Sequence, residues 1–173
     1  MIYIVRHGKT DWNIEGRIAG RTDISINEQG REEAKLVCDK LKDVDFDYVF
    51  VSPLKRTIET AKIITDKELI LDDRLIERSN GTLEGKLKSE IAIMPNYNEK
   101  NETMYGIEPL DDLLKRVTDF LNEINSKYKG KNILIVTHGG VSINMRCILE
   151  GKPSDGDVSK YKLKNCEIIQ YEN

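Results

Sequence analysis

The chain has 173 residues, enough for one domain with a full hydrophobic core and no covalent staples. Hydrophobic residues make up 39% and charged ones 33%, with a formal net charge of -3. That balance offers no basic field for nucleic acid or an anionic membrane, so an anionic ligand needs a local cationic pocket.

Cys38, Cys147 and Cys166 are odd in number and far apart, which argues against a disulfide framework or a zinc ribbon. They read as reduced thiols. No apolar run approaches the length of a membrane span, and residues 1–5 lack the basic region and cleavage site of a secretory leader. A cytoplasmic location is the expectation.

Residues 2–5 form a short apolar strand that runs into Arg6-His7-Gly8. Asn27 is placed to cap a helix whose apolar face is Ala34, Val37, Cys38 and Leu41, at three- and four-residue spacing. Tyr48–Val51 reads as a second strand. Ser52 and Pro53 then offer an N-cap and a first-turn proline to a helix with Leu54, Ile58 and Ala61 on one side. Leu69–Leu71 is expected as a third strand. Residues 94–106 are polar, with Pro95 and several asparagines, and suggest either a flap over a site, at about 86–108, or a solvated loop. Pro109 opens a helix carrying Leu110, Leu113, Leu114, Val117, Leu121 and Ile124 as a stripe, and Gly130 is expected to end it. A fourth strand, residues 133–136, runs into Thr137-His138-Gly139-Gly140. A helix over 141–149 and one or two closing strands in 161–171 complete the pattern.

Strands joined through helices, with near-continuous apolar runs, predict an α/β fold: a single domain over 1–173, built as a three-layer α/β/α sandwich around a mostly parallel sheet. In such sheets ligands bind outside the carboxyl ends of the strands. His7 and His138 are the only histidines, and each stands just past such an end with glycine after it. That pairing suggests one site. Arg6 supplies a planar cation suited to phosphate, and Gly8 would let the backbone approach a ligand closely. Arg56 falls in a first helical turn, where N–H groups and the helix dipole favour an anion. The turn-rich block from Leu75 to Gly85 contributes two carboxylates, Glu77 and Glu84.

Four blocks, in this order and spacing, resemble the histidine phosphatase superfamily, also called phosphoglycerate mutase-like. They are Arg6-His7-Gly8 with Thr10 and Asn13, Ser52-Pro53-Leu54 through Ala61, the Glu77 to Gly85 block, and Thr137 to Gly140. Gly106, Glu108, Asn165 and Cys166 fit weaker positions of the same pattern, so the resemblance spans nearly the whole chain. It implies a metal-independent, cofactor-free phosphatase acting on a small phosphorylated metabolite. By the same resemblance His7 is the nucleophile that becomes a phosphohistidine. Arg6, Arg56 and His138 surround the phosphoryl oxygens with Asn13 and Gly139, and Glu77 is the general acid and base. A bound phosphate dianion favours the protonated acid, so a mildly acidic optimum is expected. Glu84 reads as structural.

Lys9 departs from the pattern, where glutamate is usual after the glycine, and either attracts a multiply charged phosphate or points to solvent. Arg21, Arg78 and Lys86 are either holders of the non-reacting end of a substrate or surface charge. The nearest alternative activity is mutase-type phosphoryl transfer with the same residues. A metal site of His7, His138 and Glu77 is opposed electrostatically by Arg6 and Arg56. A non-catalytic binding module is the remaining alternative.

Overall fold

The computed structural model of the chain describes residues 1–91 and 104–172. Among these residues five strands make one sheet in the order β3-β2-β4-β1-β5, comprising β1 (Ile2–Arg6), β2 (Tyr48–Val51), β3 (Leu69–Leu71), β4 (Ile133–Thr137) and β5 (Ile168–Tyr171). The first four run parallel, and β5 lies antiparallel on β1. The helices are α1 (Asp11–Glu15), α2 (Glu28–Leu41), α3 (Lys55–Ile64), α4 (Leu110–Lys127) and α5 (Gly139–Glu150).

Alternation along the strands separates the core into two layers. Ile2, Ile4, Phe50, Ile133 and Ile135 pack beneath α4 and α5 with Phe120, Val117 and Met145. Tyr3, Val5, Val49, Val51, Leu134 and Val136 pack beneath α2 and α3 with Val37, Leu41 and Ala61. The three central strands β1, β2 and β4 are buried on both faces, as their continuous apolar runs predict, whereas the edge strands β3 and β5 are partly exposed. A smaller cluster of Ile18, Leu83 and Ile107 lies apart from the sheet. Among the described residues no helix is long and apolar enough to cross a membrane.

Several local expectations change. Ser52 does not cap α3, which starts at Lys55 with Leu54 as its uncapped N-cap residue. The Lys55 N–H is instead satisfied by Asp23 Oδ1 at 2.7 Å, from a distant loop, so local sequence carried no sign of it. On α4, Leu114 turns outward at 38% exposed, and Phe120, absent from the predicted stripe, is fully buried in its place. The helix closes at Tyr128, two residues before Gly130, which takes φ 77 in the following turn. Only one closing strand forms, Ile168–Tyr171, because residues 162–167 are irregular and turn at Asn165 and Cys166. α1 was not foreseen. Its signature was present in Thr10-Asp11-Trp12-Asn13, where the Thr10 and Asn13 side chains cap each other's backbone N–H groups. Of the expected flap, residues 92–103 lie outside the described residues.

Candidate active site

The register Val5↔Val136 and Arg6↔Thr137 brings the ends of β1 and β4 level, and the His7 N–H donates to the Thr137 carbonyl at 3.0 Å. The two histidines leave the sheet side by side, with ring centroids 5.2 Å apart. Beside them opens a cavity of about 210 Å³, whose walls include Arg6, His7, Asn13, Arg56 and Glu77. Residues from three of the four sequence blocks therefore share one pocket.

His7 is buried and its ring is fixed by Nδ1, which lies 2.8 Å from the Gly8 carbonyl. A carbonyl only accepts, so Nδ1 carries the proton and Nε2 holds the lone pair. Among the described residues Nε2 has no hydrogen-bond partner. Burial, then the Arg56 and Arg6 charges, push the His7 pKa well below its ordinary value, which keeps the ring neutral.

Gly8 has a different role from the one expected. A Cβ there would come within 2.6 Å of the Gly30 carbonyl, so the glycine permits close packing on the start of α2 rather than approach to a ligand. The Gly8 N–H donates to Thr60 Oγ1 at 2.9 Å, and Thr60 in turn donates to the Arg56 carbonyl. This pair ties the first block to the second.

Arg56 is 1% exposed and anchored three times. Nη1 and Nη2 donate to the Thr22 and Gly20 carbonyls at 2.8 and 2.6 Å, and Nε donates to His138 Nδ1 at 3.2 Å. Burial lowers its pKa to about 10, so it stays charged at neutral pH. Because Arg56 can only donate, His138 accepts at Nδ1 and donates from Nε2 to Ser52 Oγ at 2.7 Å. His138 is thus engaged at both nitrogens and stands behind Arg56, outside the cavity wall. Burial and Arg56 hold its pKa well below the usual histidine range.

Glu77 meets the start of α5. The Gly140 N–H donates to both carboxylate oxygens at 3.1 Å, and the Arg78 N–H to Oε1 at 2.9 Å. The N-terminus of α5 thus holds this carboxylate, and Gly139 is buried behind the wall. Asn13 Oδ1 accepts from the Thr10 N–H at 3.1 Å and from Asn165 Nδ2 at 3.2 Å. With its oxygen doubly engaged, Asn13 has its amide N–H groups left for the cavity.

Asn165 also donates to the His7 carbonyl at 2.9 Å, a function no local pattern announced. The next residue, Cys166, takes φ 56, a strained value for a non-glycine, and its N–H donates to the Arg6 carbonyl. Arg6 Nη1 donates to the Leu163 carbonyl at 2.8 Å.

The remaining candidates lie elsewhere. Lys9 pairs with Glu33 at 2.8 Å, away from the cavity. Arg21 bonds the Glu77 carbonyl and pairs with Glu108, which also takes a two-pronged ion pair from Arg116. Arg78 is buried and donates to the Glu108 carbonyl, while Lys86 is exposed. Glu84 binds the Arg21 and Asn80 N–H groups and the Thr22 hydroxyl, a purely structural set of contacts. Among the described residues no group of three His, Cys, Asp or Glu is placed to hold a metal ion.

A family model of the histidine phosphatase superfamily (branch 1) matches residues 2–172. The chain is 39% identical to phosphoglycerate mutase-like protein 4 of Arabidopsis thaliana, over 92% of this chain and 74% of that one. It is 31% identical to phosphoserine phosphatase 1 of Hydrogenobacter thermophilus, over 98% and 83%. A crystal structure of phosphoserine phosphatase from Entamoeba histolytica, in complex with 3-phosphoglyceric acid, superposes with a TM-score of 0.79. It is 28% identical, covering 96% of this chain and 87% of that one.

Proposed function

The chain belongs to the histidine phosphatase superfamily and is a phosphatase of that type, and we propose that it hydrolyses phosphomonoesters of small metabolites, without a metal, through a phosphohistidine on His7. The observation that carries this reading is the neutral His7 ring, its Nδ1 tied to Gly8 and its Nε2 available at a cavity walled by Arg6 and Arg56. Phosphoryl transfer asks a protein mainly for position and for stabilisation of charge on the phosphoryl oxygens.

In the first step the Nε2 lone pair forms an N–P bond as the ester P–O bond breaks, and Glu77 gives its proton to the leaving oxygen. In the second, water attacks phosphorus and returns a proton to Glu77, the N–P bond breaks, and inorganic phosphate leaves with His7 restored. Arg6, Arg56 and the Asn13 amide hold the equatorial oxygens. His138 acts through Arg56, whose Nε it fixes. The three cysteines are unpaired, which supports a reducing, cytoplasmic setting.

Hydrolysis of a phosphomonoester panel in EDTA, from pH 5 to 9, is the test. Turnover should survive chelation, and His7→Ala should abolish both turnover and trapping of labelled phosphate on the protein. An acid-labile phosphoenzyme in that variant would show that the nucleophile is another residue. The same groups serve a mutase if an acceptor alcohol replaces water, a reading favoured by the mutase-like name of the Arabidopsis relative. A coupled mutase assay primed with 2,3-bisphosphoglycerate separates the two.

A further inference from the structure

Two ammonium groups on the cavity wall have no task in the reaction described above. Lys162 and Lys88 both line the cavity. Among the described residues neither side chain has a hydrogen-bond or ion-pair partner. Arg17, also on the wall, is already engaged, with Nε on Glu15 and Nη1 on the Gly85 carbonyl at 2.9 Å.

Lys162 is set in place by its neighbours, although its side chain remains accessible. Its own N–H donates to the Ser159 carbonyl at 3.1 Å. The next residue, Leu163, is 1% exposed, with its N–H on Ser142 Oγ at 3.3 Å and its carbonyl on Arg6. The lysine stem then crosses Gly139. A Cβ at Gly139 would come within 2.7 Å of Lys162 Cε and 3.5 Å of Arg6 Cζ. The lysine stem and the Arg6 guanidinium thus both lie against Gly139, and a side chain there would displace the end of the lysine. Lys88 comes from a different rim, where its N–H donates to the Gly16 carbonyl at 3.0 Å and Arg17 pairs with Leu87 across an isolated bridge.

Unneutralised cations gathered on a small cavity focus a positive field that favours an anionic partner. The phosphoryl group already has Arg6, Arg56 and Asn13. We propose that Lys162, assisted by Lys88, is a specificity-determining residue that holds a second anionic group of the substrate. The preferred substrate is then a small phosphomonoester with a carboxylate a few bonds from its ester oxygen. A cavity of about 210 Å³ lies below the usual range for ligand pockets, which keeps the two anionic groups of one molecule close together. This inference rests on the phosphatase reading above.

The test uses matched substrates that differ in the carboxylate. 3-Phosphoglycerate is compared with glycerol 3-phosphate, and phosphoserine with phosphoethanolamine. Wild-type kcat/KM should be at least tenfold higher for the carboxylate member of each pair. Lys162→Met should shrink that ratio at least fivefold, chiefly through KM for the carboxylate member, and Lys162→Arg should retain most of it. A wild-type ratio near one would overturn the proposal while leaving the phosphatase reading intact, and so would an equal loss on both members in Lys162→Met. Absence of turnover and of labelled phosphoenzyme with all four esters would overturn the phosphatase reading itself, and this inference with it. Melting curves of both variants, expected to match wild type, exclude loss of fold as the cause.

Discussion

Arg56 reaches the cavity as one member of a set. Two backbone carbonyls and His138 hold its guanidinium, so its position is fixed before any phosphoryl group arrives. Such preorganisation is what makes a charge donor effective in a transition state. Arg56→Ala should lower kcat/KM by roughly a hundredfold or more, and a loss under threefold would remove it from the reaction. The same substitution leaves the Gly20 and Thr22 carbonyls and His138 Nδ1 without their donor. A lower Tm, measured beside the kinetics, should accompany the loss. The residue types of this site were legible in the sequence because scarce groups, two histidines among them, stood at strand ends. The contacts that hold them were not. Asn165, Ser52 and Lys162 act from positions remote in sequence or hidden in ordinary polar stretches, and only the fold brings them to His7, His138 and Gly139.

At the scale of elements, apolar spacing located α2, α3 and α4 but misjudged which α4 side chains face inward. On α4 the apolar spacing includes Leu114, yet Phe120 is the side chain buried in the core. Its ring meets Phe50 edge-on at 5.5 Å, and Arg74 lies over it at 5.2 Å. Phe120→Ala should therefore cost roughly 3–5 kcal/mol, a fall in Tm of order 10 °C for a chain of this size. Leu114→Ala, at an exposed position, should change Tm little. Equal effects in thermal denaturation would contradict the inward assignment of Phe120. The start of α3 failed as a local inference for a physical reason. Ser52 resembles a cap in sequence, but its hydroxyl is drawn to His138 and a carboxylate from another loop takes over the helix end.

For the whole molecule, strand and helix alternation was enough to imply a parallel sheet between two helical layers. Strand order was not legible, because β1 pairs with β4 across more than a hundred residues and no local pattern encodes that choice. Global stability should carry the signature of the two buried histidines. Both have folded pKa values pushed below the unfolded value, so between those values the unfolded chain binds more protons than the folded one. Their contribution is complete above about pH 6.5 and is lost as pH falls from there toward the folded values. Each such histidine removes up to about 1.4 kcal/mol per pH unit within that window. Tm should decline from pH 7 to pH 5, and His7→Asn should flatten the decline; an unchanged slope would mean the ring is not held neutral. Glu108, kept ionised by Arg116 and Arg21 despite its burial, adds a second decline only below the ordinary glutamate range.

The antiparallel return of β5 has a consequence for synthesis. Leu163 secures Arg6, Asn165 secures His7 and Asn13, and β5 covers the edge of β1. A growing polypeptide on the ribosome can assemble β1 to β4 and still lack these clasps. Competence thus waits for residues 163–171 to clear the exit tunnel, and chains released before that point stay inert.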